Sequence, residues 1–240
     1  IKTAVMGYSN YEAGQQVNKF LVEKLKASGV EVIGEAPLDI RAQDQTSAMV
    51  RIRSLKPDVV VGLVTPRDGI LLHQARYNLN YHGSIFCGGT GGYSDLSLWK
   101  DLGPEIGKAV LTKNLFGMTG FSAGAKIDSM QKIIAELRDV AKLDRIGQGA
   151  IQYAQAGRVL QQVLETSASL EGDALLDAFK KVNIPFGDPN LYVAKPKGLQ
   201  FAEDRLLKDG SAMFIQWTPE QDQQVVFPKE FAQTAPRPRV

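Results

Sequence analysis

The motif in this sequence that most resembles a catalytic site is Gly120-Phe121-Ser122-Ala123-Gly124. It matches the G-x-S-x-G pattern that surrounds the nucleophilic serine of α/β hydrolases. Such a serine needs a histidine base that follows it in the chain order of that fold, whereas His73 and His82 both precede it. We therefore interpret Ser122 as the N-cap of the following helix, and an α/β hydrolase that uses Ser122 is the alternative.

A second candidate is the glycine-rich segment Gly88-Gly89-Thr90-Gly91-Gly92. Such a loop at a helix start could hold a phosphate, but this one lacks the P-loop lysine and the spacing of the dinucleotide fingerprint. We favour a turn at which a ligand or an opposite lobe of the protein approaches the backbone closely. The only cysteine, Cys87, stands just before it in an apolar strand, which favours a small buried side chain over a nucleophile.

Several tyrosines lie outside the apolar helix stripes, in segments that follow predicted strands. Tyr8, Tyr11 and Tyr93 combine a ring with a polar tip, which suits a small-molecule cleft, although each could equally pack beneath its loop. Arg67 and Asp68 stand in another such segment and could pair with each other or with a ligand. We expect no metal and no cofactor, since two histidines and one cysteine cannot build the common zinc sites.

Alternating strands and helices position these segments. Strands are predicted over residues 3–6, 30–33, 59–64, 84–87 and 108–116, and helices over 11–28, 46–55, 66–75 and 94–102. This alternation predicts right-handed βαβ crossovers and a doubly wound parallel α/β sheet. Loops that follow parallel strands share the carboxyl edge of a sheet, where α/β proteins bind small ligands.

The pattern changes after Gly117. Three helices with apolar faces are predicted over residues 125–143, 148–167 and 173–182, with no confident strand among them. They either pack on each other or cover a sheet that this chain does not contain. Two strands, over 212–217 and 224–227, are predicted near the end.

Composition excludes some classes of function. The chain has 240 residues, 44% of them hydrophobic, and a net charge of +2 from 28 basic and 26 acidic side chains. These are ordinary values for a globular protein with a real core. No basic patch suggests a nucleic-acid partner, and no apolar run approaches the roughly 20 residues that span a bilayer.

Three blocks of this sequence, taken in their order and spacing, carry a family resemblance. They are the strand and turn at 4–14, the strand at 55–61 with the helix part at 72–76, and the closing pair 214–217 and 225–232. The first contains Gly7-Tyr8-Ser9-Asn10-Tyr11, the second Lys56-Pro57-Asp58 and Gln74-Ala75-Arg76. Together they resemble the substrate-binding proteins of branched-chain amino-acid-type ABC transporters, the type I periplasmic binding proteins.

The resemblance implies two lobes, each a doubly wound sheet, joined by three crossovers, with the ligand trapped when the hinge closes. It assigns residues 1–116 and 205–240 to the second lobe and 117–204 to the C-terminal helical part of the first lobe. The N-terminal part of the first lobe has no counterpart here, so that lobe is incomplete. We therefore expect a C-terminal fragment or one piece of a nicked protein, with a large apolar patch when alone.

The function implied by the resemblance is capture without chemistry, so no enzyme is expected. A periplasmic solute-binding protein would capture a small polar or aromatic, carboxylate-bearing ligand of the amino-acid-like class. It would deliver this ligand to the membrane permease of an ABC importer, and the absent N-terminal segment could be a further partner as a separate piece. The alternative within the same fold is the core of a ligand-sensing receptor or regulator.

The family's ligand positions transfer residue by residue. The turn tyrosine that reaches the ligand matches Tyr11, and a second cleft aromatic falls on Val64. The acidic residue that pairs with an ammonium falls on Thr90, which disfavours a typical α-amino acid because a buried ammonium needs a partner. The residues expected in the second-lobe wall are Tyr8, Ser9, Tyr11, Thr65, Thr90 and Tyr93. From the first lobe, Gln152 or Tyr153 is expected to face them.

Overall fold

The structure, a computed structural model, describes residues 1–89, 91–142 and 146–237. Its strands are β1 (Thr3–Met6), β2 (Glu31–Glu35), β3 (Val59–Leu63), β4 (Ile85–Gly89), β5 (Leu115–Thr119), β6 (Asn183–Ile184), β7 (Leu199–Gln200), β8 (Met213–Trp217) and β9 (Gln223–Phe227). Its helices are α1 (Glu12–Ala27), α2 (Thr46–Leu55), α3 (Pro66–Asn78), α4 (Gly91–Ser94), α5 (Ser97–Val110), α6 (Asp128–Ala141), α7 (Gln148–Thr166) and α8 (Gly172–Lys180). Among the described residues, no helix has both the length and the apolar character needed to cross a membrane.

A seven-stranded sheet forms the centre of the fold, in the order β2-β1-β3-β4-β5-β8-β9. β1 pairs in parallel with β2 and β3, and β4 pairs in parallel with β3 and β5. The run Val59-Val60-Val61 lies in β3, in the interior of the sheet, where strands are covered on both faces. The predicted doubly wound α/β sheet is confirmed, and the strands β1 to β4 all end at one edge of it.

The predicted start of the fifth strand, at residue 108, is wrong. Residues 108–116 were expected to be extended, but α5 runs to Val110 and β5 begins only at Leu115. The helix is interrupted at Gly103, where φ is 77°, and resumes at Pro104. Proline is well tolerated in a first helical turn, so Gly103-Pro104 restarts a helix here where the sequence pattern indicated its end.

The chain divides into two compact units. Unit 1 comprises the described residues of Ile1–Thr119, Phe214–Val226 and Thr234–Val240, and unit 2 those of Gly120–Met213 and Phe227–Gln233. Unit 1 contains the parallel strands and α1 to α5, so the polar loops of interest belong to it. The assignment of residues 1–116 and 205–240 to one lobe and 117–204 to the other stays a prediction.

In unit 2 the helices α7 and α8 contribute to an apolar core. Its centre is a cluster of buried apolar residues from α7, α8, β6, β7 and the chain between them: Val159, Val163, Ala178, Val182, Ile184, Leu191 and Leu199. The short strands β6 and β7 pair antiparallel, which the sequence pattern did not indicate. Helices α7 and α8 thus pack on each other, the first of the two predicted alternatives.

A buried guanidinium stabilises the region of unit 1 between α3 and α5. Arg76 on α3 is fully buried and donates hydrogen bonds to the backbone carbonyls of Tyr81 (3.1 Å), Val110 (3.0 Å) and Lys113 (2.9 Å). Its Cζ lies 4.4 Å from the centre of the Phe86 ring. Burial lowers the pKa of Arg76 to about 10, so the group stays charged at neutral pH.

We expect Arg76→Met to lower the free energy of unfolding of unit 1 by about 3 kcal/mol, because two buried carbonyls and one partly buried carbonyl lose their donor. Urea denaturation followed by tryptophan fluorescence measures this, since both tryptophans, Trp99 and Trp217, lie in the core of unit 1. The matched control is Arg51→Met on the exposed side of α2, which should change stability by no more than about 0.5 kcal/mol. Equal midpoints for the two variants would contradict the role of Arg76.

Candidate functional site

The candidate site is the carboxyl edge of the sheet in unit 1, where the loops after β1, β2 and β3 meet. Backbone hydrogen bonds continue past the strands, from Ser9 N to the oxygen of Leu63 (3.0 Å) and from Asn10 N to the oxygen of Leu38 (2.8 Å). The loops approach closely because Gly62 has no side chain: a Cβ there would lie 1.9 Å from the oxygen of Gly7. The edge is thus a set of backbone segments fixed against each other.

A buried carboxylate holds two of these loops together. Asp68, only 1% exposed in the first turn of α3, accepts hydrogen bonds from the hydroxyls of Ser9 (2.5 Å) and Thr65 (3.0 Å). Thr65 caps α3, since its Oγ1 accepts a hydrogen bond from Asp68 N, and its own N–H donates to Ser9 Oγ at 3.0 Å. A carboxylate in the first helical turn also interacts favourably with the helix dipole. The hydroxyl of Ser9 is therefore engaged inside the protein.

Arg67, beside Asp68, places a half-exposed cation at this edge. Its guanidinium donates hydrogen bonds to the backbone oxygens of Ile40 (2.9 Å) and Ala42 (2.6 Å) in the segment after β2. It also lies 3.7 Å from Asp68, so the first of the two predicted alternatives, pairing between these residues, is present. Both of these hydrogen bonds go to neutral carbonyls, and among the described residues the carboxylate that faces this guanidinium is that of Asp68.

Two tyrosines stand at the end of β1. Tyr8 is largely buried, and its hydroxyl donates a hydrogen bond to Glu35 at 3.0 Å. Burial and the neighbouring Glu35 carboxylate raise the pKa of Tyr8, so its hydroxyl stays protonated. Tyr11 is half-buried at the N-cap of α1, and no side-chain hydrogen bond caps that helix. Tyr11 is the more accessible of the two rings.

Tyr93 lies below the edge, inside unit 1. Its side chain is fully buried, packed edge-on to His73 with ring centres 5.7 Å apart. Gly88 makes room for it, since a Cβ there would lie 2.2 Å from the Tyr93 ring. Burial raises the pKa of Tyr93, and its hydroxyl has no hydrogen-bond partner within the described part of the chain. The close approach to Gly88 is thus made by a ring of the same unit, whereas a ligand or an opposite lobe was expected there.

The remaining predicted site residues are placed as follows. Thr90 lies outside the described residues. Gln152 and Tyr153 belong to the first turns of α7 in unit 2, and both are exposed. The edge of unit 1 therefore brings together Tyr8, Ser9, Tyr11 and Thr65. A ligand-contacting role for any of the eight stays a prediction.

The predicted capping role of Ser122 is wrong. Helix α6 begins at Asp128, its N-cap is Ile127, and no side chain caps it. Ser122 is buried five residues earlier, and its Oγ has no partner among the described residues. The segment between β5 and α6 has the predicted length of eight residues but lies three residues further along the chain.

Cys87 was expected to be a small buried side chain rather than a nucleophile, and it is less buried than that. It is half-buried, and burial raises its pKa to about 11. The thiol is thus almost fully protonated at neutral pH, whereas the nucleophilic form of cysteine is the thiolate.

Glu35 is the functional candidate that the sequence analysis missed. Strand β2 was expected to end at residue 33 but runs to Glu35, which places this carboxylate at the edge beside Tyr8. An acidic residue at the end of a strand was the available signal. The segment Glu31-Val32-Ile33-Gly34-Glu35 does not alternate between polar and apolar residues, so the sequence does not fix where the strand ends.

Comparison of the sequence with known proteins finds binding proteins, both among family models and among curated relatives. A family model described as periplasmic binding protein matches residues 1–217. Curated relatives include the Leu/Ile/Val-binding protein homolog 8 of Brucella abortus and of Brucella suis. Each is 22% identical over 210 residues, which cover 88% of this chain and 51% of the relative. The chain therefore spans about half the length of the curated relatives it matches.

Solved structures with the same fold include three transport proteins. An ABC transporter substrate-binding protein from Sphaerobacter thermophilus has a TM-score of 0.77 at 16% identity, covering 98% of this chain and 61% of its own. A solute-binding protein from R. palustris in complex with 4-hydroxybenzoate has a TM-score of 0.75 at 12% identity, and the match covers 99% of this chain and 61% of that protein. A leucine binding protein from Thermotoga maritima has a TM-score of 0.72 at 15% identity, and the match covers 93% of this chain and 59% of that protein.

The buried histidine beneath the edge predicts a specific pH dependence. Burial, with the charge of Arg76, lowers the pKa of His73 from 6.5 to about 3, although its hydrogen bond to Gly92 opposes this. Between these values the unfolded chain binds a proton that the folded chain does not, so this contribution to stability is lost as the pH falls. From pH 7 to pH 5 we expect a loss of about 2 kcal/mol from this group.

His73→Gln keeps a donor for Gly92 and removes the titration, so this variant should lose about 2 kcal/mol less than the wild type between pH 7 and pH 5. Urea denaturation followed by tryptophan fluorescence at both pH values measures the difference. His82→Gln, at a half-buried position, is the comparison variant: burial also lowers the pKa of His82, but less than that of His73, so this variant should reduce the acid loss less than His73→Gln does. Equal acid losses for the wild type and His73→Gln would show that His73 is protonated in the folded state.

Proposed function

This chain belongs to the periplasmic binding protein family, and we propose that the protein carrying it is an extracytoplasmic solute-binding protein of an ABC importer. In this proposal the protein captures a small molecule between two lobes by hinge closure and delivers it to a membrane permease. The family match and the transport proteins of the same fold support it. The resemblance found in the sequence is confirmed by the same match.

We propose that the ligand is a small carboxylate-bearing molecule, polar or aromatic. The observation that carries this is the carboxyl edge of unit 1, where Arg67 supplies a cation bonded mainly to neutral carbonyls and Tyr11 a half-buried ring. The buried acid at the same edge, Asp68, already accepts two hydroxyls and lies 3.7 Å from Arg67. It is thus poorly placed to receive a ligand ammonium.

Two proteins of the same fold were solved with such ligands. Both are solute-binding proteins from R. palustris, one in complex with benzoate and the other with 4-hydroxybenzoate. These complexes support an aromatic carboxylate for this protein as well. In this proposal Tyr11 contacts the ligand, Tyr8, Ser9, Thr65, Thr90 and Tyr93 form or support the same wall, and Gln152 or Tyr153 faces it.

We propose no enzymatic activity for this protein. The family and the fold are those of solute-binding proteins. The hydrolase alternative required a base in contact with Ser122, whereas within the described residues its buried Oγ has no hydrogen-bond partner at all. A nucleophilic serine needs a general base within hydrogen-bond distance.

A thermal-shift assay of the complete gene product tests the ligand class. Benzoate and 4-hydroxybenzoate should raise the melting temperature, since a ligand that binds only the folded state stabilises it by about 2.7 kcal/mol at one hundred times its Kd. Leucine and isoleucine should raise it less. Tyr11→Ala should weaken binding at least tenfold, because an aromatic contact is lost.

The matched control is Phe20→Ala, which removes an exposed ring from the same helix α1. It should bind the aromatic carboxylates as the wild type does. A protein stabilised by leucine but not by benzoate would overturn the proposed ligand class. Binding that is equally unaffected by Tyr11→Ala and Phe20→Ala would overturn the proposed location.

We also propose that a further polypeptide segment covers unit 2, in the same chain or as a separate piece. Helix α7 packs Ile151, Val159 and Val163 into the unit, yet a second apolar stripe is exposed, formed by Tyr153 (81%), Leu160 (49%) and Leu164 (47%). Spacings of seven and four residues place these three on one helix face. A helix apolar on both sides is normally buried on both. The occupant we infer is the part of the relatives that this chain does not span.

Binding of the dye bis-ANS tests this covering segment. The 240-residue chain should bind the dye, and Leu160→Gln with Leu164→Gln should reduce the fluorescence several-fold because the exposed apolar stripe is interrupted. Phe20→Gln, at an exposed position in unit 1, is the control and should change the bis-ANS fluorescence little. Dye binding by the complete gene product that equals binding by the chain would show that nothing covers this face.

A further inference from the structure

Unit 2 contains a cavity that the family assignment does not explain. Its volume is about 500 Å³, within the range of about 300–1,000 Å³ usual for small-molecule sites. Its walls come from α7, α8, β7 and the chain on both sides of β7, and apolar side chains dominate: Val159, Phe179, Val193, Leu199, Phe201 and Leu207. The rings of Phe179 and Phe201 meet edge to face, 5.7 Å apart between centres.

Two of the polar groups in this wall are used by the protein itself. The Gln155 side chain donates to the oxygen of Asn190 (3.0 Å) and accepts from the N–H of Tyr192 (2.6 Å). The Ser211 hydroxyl donates to the oxygen of Ala194. These groups fix the loop that closes the cavity, so a ligand would have to be recognised by the others.

Lys195 is the charged group of the cavity wall. It is only 6% exposed, and its Nζ donates to the backbone oxygens of Asp209 (3.1 Å) and Lys208 (3.4 Å). The carboxylate of Asp209 is engaged with Lys197, at 3.1 Å. Within the described part of the chain, no carboxylate lies at ion-pair distance from the Lys195 ammonium. Desolvation accordingly lowers the pKa of Lys195, although the charge of Asp209 opposes the shift.

A buried ammonium without a counter-ion is unfavourable, and an anion beside it would recover part of that free energy. The cavity offers one such charge and otherwise mostly apolar walls. This combination matches a molecule with a single negative group on a hydrocarbon body. Gln152 and Ala156 line the same cavity and are exposed, so a ligand can enter from solvent.

We propose that the cavity of unit 2 binds a medium-chain aliphatic carboxylate, with its chain against Phe179 and Phe201 and its carboxylate at the ammonium of Lys195. This site lies wholly in unit 2 and does not depend on the ligand proposed for the carboxyl edge of unit 1. It is thus a second site, for a different class of carboxylate.

Isothermal titration of the complete gene product with decanoate and with decanol tests the proposal. The wild type should bind decanoate at least tenfold more tightly than decanol, because only decanoate carries the charge. Lys195→Met retains an apolar side chain of similar length, so it should abolish this preference while decanol affinity stays within twofold. Lys197→Met, an exposed lysine two residues away, is the matched control and should keep the wild-type preference.

Two further variants test where decanoate binds, even if Lys195→Met fails to fold. Ala156→Phe adds a ring to the cavity wall and should remove binding of both decanoate and decanol. Tyr11→Ala, at the edge of unit 1, should leave decanoate binding unchanged. The proposal is overturned if decanoate does not bind, if it binds no better than decanol, or if Tyr11→Ala rather than Ala156→Phe abolishes binding. The last outcome would place the fatty carboxylate at the edge of unit 1. If the wild type bound decanoate but not benzoate, the ligand proposed for the edge of unit 1 would be wrong and the cavity of unit 2 would be unaffected.

Discussion

The candidate site depends on one buried carboxylate, that of Asp68. It lies in the first turn of α3 and accepts the hydroxyls of Ser9 from the loop after β1 and Thr65 from the loop after β3. A carboxyl group this deeply buried is tolerated only when hydrogen bonds and nearby positive charge compensate it, and here two hydroxyls, Arg67 and the helix dipole do so. The two loops are therefore held in one arrangement before any ligand arrives. A preformed wall of this kind reduces the ordering that binding would otherwise require.

Backbone carbonyls compensate two buried cations, Arg76 and Lys195, with different consequences. Arg76 meets three carbonyls and an aromatic face, so its five N–H donors are well used and the group is structural. Lys195 meets only two carbonyls and also borders a cavity. The first cation fixes α3 against the chain that follows α5, whereas the second leaves electrostatic attraction directed at the cavity. Similar burial thus gives stability in one unit and a candidate binding site in the other.

Much of the fold could be predicted from local pattern, and the exceptions have local causes. The alternation of apolar strands and amphipathic helices was enough for the parallel sheet and for α6, α7 and α8. Gly103-Pro104 indicated the end of a helix, yet α5 resumes at Pro104 and extends through residues expected in β5. Ser122 had the residue type and position of an N-cap, but α6 begins six residues later, at Asp128. Both errors concern boundaries, where one or two residues favour either outcome and distant packing decides.

The sequence by itself determined that polar loops with tyrosines gather at one edge of a parallel sheet, because strand periodicity and chain order are local properties. It also contained the family resemblance. Only the tertiary structure decided which polar groups at that edge are engaged: Ser9 and Asp68 meet across 59 residues, and Tyr8 meets Glu35 across 27. It likewise buried Tyr93 beside His73 and set Lys195 in an apolar cavity. Contacts of this kind depend on the packing of distant segments, which no local pattern of residues encodes.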